Sequence, residues 1–280
     1  MCKRIFIFIN NYLFWCFLQF SKVCRNVPES RVKMTGSRWT RPGDIPFPTV
    51  WRWYNGKQPL EGKTPRFRIQ DVTEDLEDEV VQHMTDVFLR DEPMCSSVGL
   101  ADDPVSVLEF QTMWRDYMRQ RVALVAVVEP ETTPYSGHRV AGCNLLGITC
   151  RGDVTDINKY KGVAFRKLIE ALDHTTKMAK LFERYGVDYY LCALGLSVAR
   201  EYRGQGLGFE LLKARFDLGR AMGLPLTVTL FSPASTQWMG AQLGMKTVVE
   251  IDYEDYKDDE GHVVFSGIEN KSMKLMAGKI

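Results

Sequence analysis

The chain has 280 residues, of which 45% are hydrophobic and 25% charged, a composition typical of a soluble globular protein with one large domain or two small ones. Its 36 basic and 35 acidic side chains give a net charge of +1, which argues against a protein whose main role is to hold nucleic acid. The seven cysteines form no CxxC pair, which excludes the usual metal-ligand spacing and favours reduced, intracellular thiols over a disulfide framework.

An apolar run at residues 5–20 follows two basic residues near the N-terminus, a pattern that resembles a secretory signal. Asn10 and Asn11 interrupt the run, which is shorter than the roughly 20 apolar residues that a membrane-spanning helix needs. No small-residue cleavage site follows it, and Met34 opens a more ordinary polar sequence. We therefore expect residues 1–33 to be a dispensable extension of a cytoplasmic protein. Membrane association through the apolar run, or its removal as a signal, are the alternatives.

Residues 34–65 are rich in Pro, Gly, Arg and Trp and show no helical or strand periodicity, so they predict an irregular arm. Aromatic side chains should pack this arm onto the domain that follows: Trp39, Trp51, Trp53 and Tyr54. That domain, residues 66–280, opens with an alternating strand at 66–70. Asp71 and Glu74 then have the spacing of a helix capping box, ahead of apolar residues at helical spacing.

The middle of the domain alternates between helices and strands. A helix fits residues 106–120, and the continuous apolar run at 122–128 predicts a buried central strand. A turn-rich segment separates this run from a second long strand at 138–150, so the two strands should form a hairpin. A long amphipathic helix follows, with apolar side chains from Phe165 to Phe182 on one side.

The second half of the domain continues this alternation. Strands are predicted at 189–198, 225–231 and 245–253, with one or two weak strands near 263–276. Helices are predicted at 207–222 and 233–243. Strand–helix–strand order implies a local parallel pairing inside a mixed sheet. The predicted fold class is therefore α/β (α+β), with a mixed central sheet flanked by helices.

A glycine-rich turn lies between the strand at 189–198 and the helix that follows it. Its sequence is Arg203-Gly204-Gln205-Gly206-Leu207-Gly208. Glycines let backbone N–H groups and the positive end of the helix dipole approach an anion, and Arg203 adds a cation, so a pyrophosphate is the natural ligand. A P-loop needs Gly-Lys-Ser/Thr to close the turn, but Gly208 is followed by Phe209 and Glu210. A dinucleotide-binding turn needs Gly or Ala at the position of Phe209, so neither motif fits this turn. A strand-to-helix turn without a ligand is the alternative.

Three sets of residues carry a resemblance to a known family. Arg-x-x-Gly-x-Gly, after a strand that ends in Leu196-Ser197-Val198, resembles the acetyl-CoA motif of the GNAT superfamily of N-acyltransferases. Leu243-Gly244-Met245 stands where that superfamily usually has Leu/Phe-Gly-Phe. Within the superfamily, the chain is similar to the insect-type arylalkylamine N-acetyltransferases at Asp91-Glu92-Pro93-Met94, Ser232 and Thr236. The resemblance covers about residues 66–280.

The resemblance implies a strongly bent mixed sheet in which the strands at 189–198 and 225–231 splay apart and leave a V-shaped slot for acetyl-CoA. The cofactor would bind the whole turn: Arg203, Gly204, Gln205, Gly206, Leu207 and Gly208. The backbone of Leu196, Ser197 and Val198 would pair with the pantetheine arm like an added strand. A side chain added at Gly206 should then block the approach of the pyrophosphate. No metal is implied.

The resemblance also implies the chemistry. An ammonium must lose a proton before it attacks a thioester, and the family's glutamate with this role maps to Glu92. A fully solvated carboxylate is a weak base, so Glu92 would need partial burial; an exposed helix-end carboxylate is the alternative. The family links serines at the positions of Ser232 and Thr236 to catalysis, although Ser232 also suits an N-cap before Pro233. Many superfamily members carry a tyrosine acid where Gly240 stands, so a serine, a threonine or water must replace it, or the thiolate leaves unaided.

The predicted function is direct transfer of an acetyl group from acetyl-CoA to a small primary amine. The amine expected is an arylalkylamine of the dopamine, serotonin, tyramine or octopamine type, with Met94, Trp114 and Tyr117 facing it or, alternatively, buried in the core. We expect a monomer that binds no nucleic acid. The alternatives are a polyamine, an amino acid or a longer acyl-CoA as substrate, and a non-enzymatic acyl-CoA-binding protein.

Overall fold

A computed structural model describes residues 39–135 and 139–280, so the predicted extension and the start of the arm lie outside the described residues. The strands are β1 (Val50–Asn55), β2 (Arg66–Asp71), β3 (Leu124–Val128), β4 (Val140–Cys150), β5 (Tyr189–Val198), β6 (Leu226–Phe231), β7 (Lys246–Asp252) and β8 (Ser272–Lys279). They form one eight-stranded sheet in the order β1-β2-β3-β4-β5-β6-β8-β7. Every neighbouring pair is antiparallel except β5 and β6, which are parallel.

Helices cover both faces of this sheet. Their bounds are α1 (Glu74–His83), α2 (Pro93–Ser97), α3 (Pro104–Met118), α4 (Val163–Ala179), α5 (Leu181–Tyr185), α6 (Leu207–Ala221) and α7 (Ala234–Gln242). Side chains of α1, α3 and α4 share a core cluster with Val125 and Val127 of β3, whereas α6 packs with Leu124 and Ala126. Successive residues of a strand face opposite sides of the sheet, so β3 is apolar throughout because both of its faces are covered. None of the helices in the described ranges is long and apolar enough to cross a membrane.

The predicted order of strands and helices after residue 66 is confirmed, with small shifts at the ends. The strand predicted at 189–198 coincides with β5, and the helix predicted at 207–222 is α6 with one residue fewer. The weak strands near 263–276 correspond to a single strand, β8, which inserts antiparallel between β6 and β7.

The parallel pair of strands stays together for only a short distance. β5 and β6 pair over two residue pairs, Leu191 with Thr227 and Cys192 with Val228, although both strands continue further. They therefore separate towards their C-terminal ends and leave a V-shaped slot. This confirms the predicted fold class, α/β (α+β) with a mixed, bent sheet and a splay between these two strands.

Part of the predicted irregular arm is a strand. Val50–Asn55 form β1, which pairs antiparallel with β2. Periodicity missed this strand because its Trp, Arg and Tyr residues do not alternate between apolar and polar side chains. Three of the predicted aromatic anchors pack against the sheet: Trp39, Trp51 and Tyr54. The fourth does not, because Trp53 is 51% exposed and lies 4.5 Å from the Arg66 guanidinium.

Asp71 does not cap the first helix, contrary to the capping-box prediction. The N-cap residue is Thr73, and Asp71 ends β2 with its side chain fully buried. Its carboxylate accepts hydrogen bonds from the Trp51 indole and the Arg41 guanidinium, both at 2.8 Å, and from the backbone N–H of Thr49. A buried carboxylate needs such partners, so Asp71 ties the arm to the sheet.

A bulge between β4 and β5 shapes one wall of the slot. The register shifts between Asn144 and Leu146, and Gly195 on the opposite strand has a φ of 139°. Two buried side chains bind the carbonyl groups there, since the Trp114 indole donates to Leu194 at 3.1 Å and the Asn144 amide donates to Gly195 at 2.9 Å. These hydrogen bonds hold the strand out of regular ladder geometry.

We expect Gly195→Ala to lower the free energy of unfolding by roughly 2 kcal/mol or more, because side chains are strained at this φ and overpack here. The added Cβ would lie 2.5 Å from Met84 Cε and 3.2 Å from the Phe88 ring. The matched control is Gly186→Ala, where φ is 63° and nothing lies within 4 Å of the added atom. That change should cost about 1 kcal/mol. Urea unfolding measures both, and equal costs would contradict the close packing at the bulge.

Candidate active site

A cavity of about 430 Å³ lies where β5 and β6 separate. Its walls come from β5, the end of β6, and the helices α3 and α4. Large apolar side chains make up much of its surface: Phe88, Met94, Phe110, Met113, Leu168 and Leu172. Two of the polar residues in the lining, Glu92 and Ser232, share a hydrogen bond.

Glu92 sits at a corner between two helical segments. The helix that begins as α1 continues through a π-helical turn, Met84–Phe88, and ends at Asp91. Glu92 then has extended backbone and is the N-cap of α2, with Pro93 at the first helical position. One carboxylate oxygen accepts from the backbone N–H of Cys95 at 2.7 Å, and the other accepts from the Ser232 hydroxyl. The side chain is therefore half-buried and fixed, unlike the exposed helix-end carboxylate of the alternative.

Ser232 reaches the same point from the end of β6. The residue is 5% exposed, and its carbonyl accepts from the Tyr253 hydroxyl at 3.1 Å and the Asn270 amide at 2.7 Å. The N-cap position of α7 belongs to Pro233, so Ser232 precedes the helix and its hydroxyl does not cap it. Thr236 also lines the cavity, but its hydroxyl donates to the carbonyl of Pro233 at 2.9 Å. The two hydroxyls thus have different partners.

Asp91 links this corner to the glycine-rich turn. Its carboxylate accepts from Arg200 at 2.6 and 3.0 Å and from Arg203 at 2.5 Å. Hydrogen bonds from these guanidinium groups hold the pKa of Asp91 below its ordinary value, and the bond from Arg200 has the largest effect. Arg203 also donates to the Val198 carbonyl at 3.1 Å. The guanidinium expected to face a pyrophosphate therefore also positions the residue beside Glu92.

The glycine-rich turn rests on the arm of the protein. Gly204 and Gly206 have positive φ angles of 77° and 85°, and α6 begins directly after them. Gln205 is fully buried; its carbonyl accepts from the Tyr54 hydroxyl at 2.6 Å and its side chain accepts from the Gln58 backbone at 3.1 Å. The side chain of Leu207 lies in the core. Apart from the Arg203 guanidinium, backbone groups are therefore what this turn can offer to a ligand.

The blocking of the pyrophosphate by a side chain at Gly206 stays a prediction, but such a side chain would also meet the arm. An added Cβ would lie 2.7 Å from the Tyr54 hydroxyl and 2.8 Å from Lys57 Cε. Such a change would push against the arm beneath the turn and would strain a positive φ. This support could not be predicted, because nothing in the sequence of residues 34–65 indicates a contact with the turn.

The other predicted residues divide into two groups. Leu196, Ser197, Val198 and Met94 all line the cavity. The Ser197 hydroxyl lies 3.0 Å from the Nε2 of His83, so its side chain already has a partner. Trp114 and Tyr117 do not line the cavity, contrary to the prediction. Trp114 is fully buried, and an atom added at Gly147 would collide with the Tyr117 ring.

The helix predicted at 106–120 does line the cavity, but not through the residues that were predicted. Phe110 and Met113 line the cavity from α3. Phe110 lies on the same side of the helix as Trp114 and stacks on it, with ring centroids 4.4 Å apart. Trp114 itself is fully buried, and its indole N–H donates to the bulge. No cluster of His, Cys, Asp and Glu that could hold a metal occurs among residues 39–135 and 139–280.

A scan against protein-family models and a search of curated proteins gave no match. Among solved structures, the chain is similar to a protein of the yellow fever mosquito designated arylalkylamine N-acetyltransferase 7. The identity is 32% and the TM-score 0.78, over 86% of this chain and 99% of that one.

Two more distant structures share the fold. Arylalkylamine N-acetyltransferase 2 from Aedes aegypti is 23% identical with a TM-score of 0.67, over 76% of this chain and 99% of that one. A polyamine N-acetyltransferase from Drosophila melanogaster is 15% identical with a TM-score of 0.63, over 76% of this chain and 100% of that one. The predicted resemblance is confirmed by the mosquito protein that is 32% identical over nearly its whole length. The chain is an N-acetyltransferase of the GNAT superfamily and belongs to the insect-type arylalkylamine N-acetyltransferase family.

Proposed function

We propose that the protein transfers the acetyl group of acetyl-CoA directly to the primary amine of a small arylalkylamine of the dopamine, serotonin, tyramine or octopamine type. The observation that carries this proposal is the hydrogen-bonded pair of Glu92 and Ser232 at an apolar, aromatic-lined cavity in the slot between β5 and β6. A base and a hydroxyl at the point where two strands separate suit the attack of an amine on a thioester.

The cofactor would enter from the glycine-rich turn. The first backbone N–H groups of α6 and the helix dipole attract the pyrophosphate, and Arg203 lies beside them. From there the pantetheine arm descends along β5, past Val198, Ser197 and Leu196. Ser232, the residue after β6, faces this stretch because β5 and β6 are parallel and pair in register below it. The thioester would therefore lie close to Ser232 and Glu92.

Glu92 is the base in this mechanism. Its carboxylate accepts the proton that makes the amine nucleophilic, either directly or through water, and the nitrogen then attacks the thioester carbonyl. When the tetrahedral intermediate collapses, Glu92 returns its proton through Ser232 to the departing CoA sulfur. The regenerated carboxylate then takes the second proton of the nitrogen and releases it to solvent. The Ser232 hydroxyl already donates to Glu92, so it is placed to pass a proton between the carboxylate and the sulfur.

The lining of the cavity favours an aromatic amine over a polyamine. The carboxylates among the lining residues are Asp91 and Glu92, and Asp91 is bound by two arginines. A single ammonium can therefore meet a carboxylate at Glu92, while the second ammonium of a polyamine would meet apolar surface, where an unpaired charge is costly. An aromatic ring instead gains from burial against Phe110 and Met113.

A panel of amines with acetyl-CoA tests this proposal. We expect kcat/KM for tyramine, dopamine or serotonin to exceed that for spermidine by at least about tenfold, because one buried unpaired charge costs more than 1.4 kcal/mol. CoA release and the acetylated product are both measured by chromatography. A preference for spermidine would assign the protein to polyamines. Tight CoA binding without turnover on any amine would leave a non-enzymatic acyl-CoA-binding protein.

Glu92→Gln tests the base. The amide oxygen can still accept from the Cys95 N–H, so the cap of α2 is kept while the base is lost. We expect kcat to fall by about 10²–10⁴-fold, with the Kd for CoA unchanged. The control is Glu254→Gln, which neutralises an exposed carboxylate away from the cavity and should leave kcat unchanged. Unchanged turnover in Glu92→Gln would remove Glu92 as the base.

Gly208→Asp tests the cofactor turn. An atom added at Gly208 would lie 3.6 Å from Val198 and 3.8 Å from Met239, at ordinary contact distance. An acidic residue in the first turn also favours the helix itself, so the variant should fold. We expect its Kd for CoA to rise about tenfold by charge repulsion of the phosphates. Gly208→Asn has the same shape without the charge and should bind CoA more nearly like the wild type; equal affinities would contradict a phosphate site at this turn.

A further inference from the structure

Arg215 is a charged side chain to which the mechanism gives no role. It lies on α6 and is fully buried, and it also lines the cavity. Its guanidinium donates to the hydroxyl of Thr227 at 2.6 Å, to the hydroxyl of Thr229, and to the carbonyls of Val228 at 2.7 Å and Leu191 at 3.3 Å. All four of these acceptors are neutral, and no carboxylate is among them.

Burial lowers the pKa of Arg215 to about 9, so the side chain still carries its charge at neutral pH. A buried charge is costly unless its hydrogen-bonding groups are satisfied. The four hydrogen bonds account for four of the five N–H groups of a guanidinium. Arg215 is therefore a fixed cation, and the residue is part of the lining of the cavity.

Arg215 lies at the closed end of the slot. The last residue pairs that join β5 and β6 are Leu191 with Thr227 and Cys192 with Val228, and Arg215 bonds to both strands at this level. Along α6, Arg215 lies eight residues after Leu207, which is about 12 Å down the helix axis from the glycine-rich turn. The turn and Arg215 thus mark the two ends of the slot.

The order of groups along the slot follows from the proposed function, on which this inference rests. Phosphates at the turn and pantetheine along Val198 to Leu196 place the thioester level with Ser232. The acyl chain then points towards the closed end. Thr229 lies three residues before Ser232, so about 10 Å of strand separates the level of the thioester from Thr229.

We propose that Arg215 and Thr229 form a polar floor to the acyl pocket and limit the donor to acyl chains too short to reach it. A longer alkyl chain would have to press against a charged guanidinium and a hydroxyl, and it would gain none of the apolar contacts that favour its burial. The pair would thus determine specificity for the acyl group without touching the amine or the reacting atoms.

The test is the chain-length profile with one amine and acetyl-, butyryl-, hexanoyl- and decanoyl-CoA. For the wild type we expect kcat/KM with decanoyl-CoA to be at least about tenfold below that with acetyl-CoA. Arg215→Met replaces the cation by an apolar side chain and should raise the decanoyl-to-acetyl ratio at least about tenfold. A wild type that uses decanoyl-CoA as well as acetyl-CoA would overturn the proposal.

Arg215→Met loses four hydrogen bonds and can fail to fold, so a second pair of variants carries the test. Thr229→Val removes the hydroxyl of a residue that lines the cavity and should raise the same ratio. Thr227→Val makes the same chemical change at the other hydroxyl on Arg215, which does not line the cavity, and should keep the wild-type profile. Identical ratios in Thr229→Val, Thr227→Val and the wild type would refute the floor. If the wild type transferred no acyl group from any of these donors, the proposed function would be refuted instead.

Discussion

The separation of β5 and β6 after two residue pairs is the constraint on which the site depends. Strands that leave a ladder need other partners for their N–H and C=O groups. In this protein buried side chains supply them. Arg215 bonds to carbonyls at the closed end of the slot, and Trp114 and Asn144 bond to carbonyls at the bulge in β5. The slot is therefore part of the folded structure, held open by hydrogen bonds on both sides of the sheet.

The position of Glu92 depends on the same two strands. Its carboxylate is bonded to Ser232, which directly follows β6 and lies 140 residues away in the sequence. The neighbouring residue, Asp91, is bonded to Arg203, which in turn donates to the last residue of β5. The corner between α1 and α2 is thus attached to the C-terminal ends of both strands. Any change in their separation would move the carboxylate relative to the slot, so the fold and the proposed base are coupled.

Sequence patterns predicted the elements whose pattern reflects burial. β3 is apolar on both faces because helices cover both, and α6 shows helical spacing because one side packs on the sheet. The glycine-rich turn was also found, since glycine at a positive φ leaves a direct sign in the sequence. The strand β1 left no such sign, because its register with β2 is set by pairing and not by alternation.

Buried polar side chains account for most of the structural features that could not be predicted from the sequence. Asp71 looked like a helix cap, and it became a buried anchor because Arg41 and Trp51 reach it from the arm. Nothing in the sequence marks Arg215 as buried, since arginine is almost never fully buried without a partner. Its acceptors lie on two strands that only the tertiary fold brings beside α6. Local patterns cannot show such partners, because each is created by residues distant in the sequence.

The source of the proton for the departing thiolate follows from packing around Gly240, where many members of the superfamily have a tyrosine. A Cβ at this position would lie 2.8 Å from the ring of Phe231, a buried residue that lines the cavity. A tyrosine could not enter without displacing that wall. Of the two nearby hydroxyls, Thr236 donates to the backbone of Pro233, whereas Ser232 donates to the carboxylate of Glu92, the proposed base. Under the proposed mechanism, the Glu92–Ser232 pair therefore has to serve both proton transfers, first as acceptor from nitrogen and then as donor to sulfur.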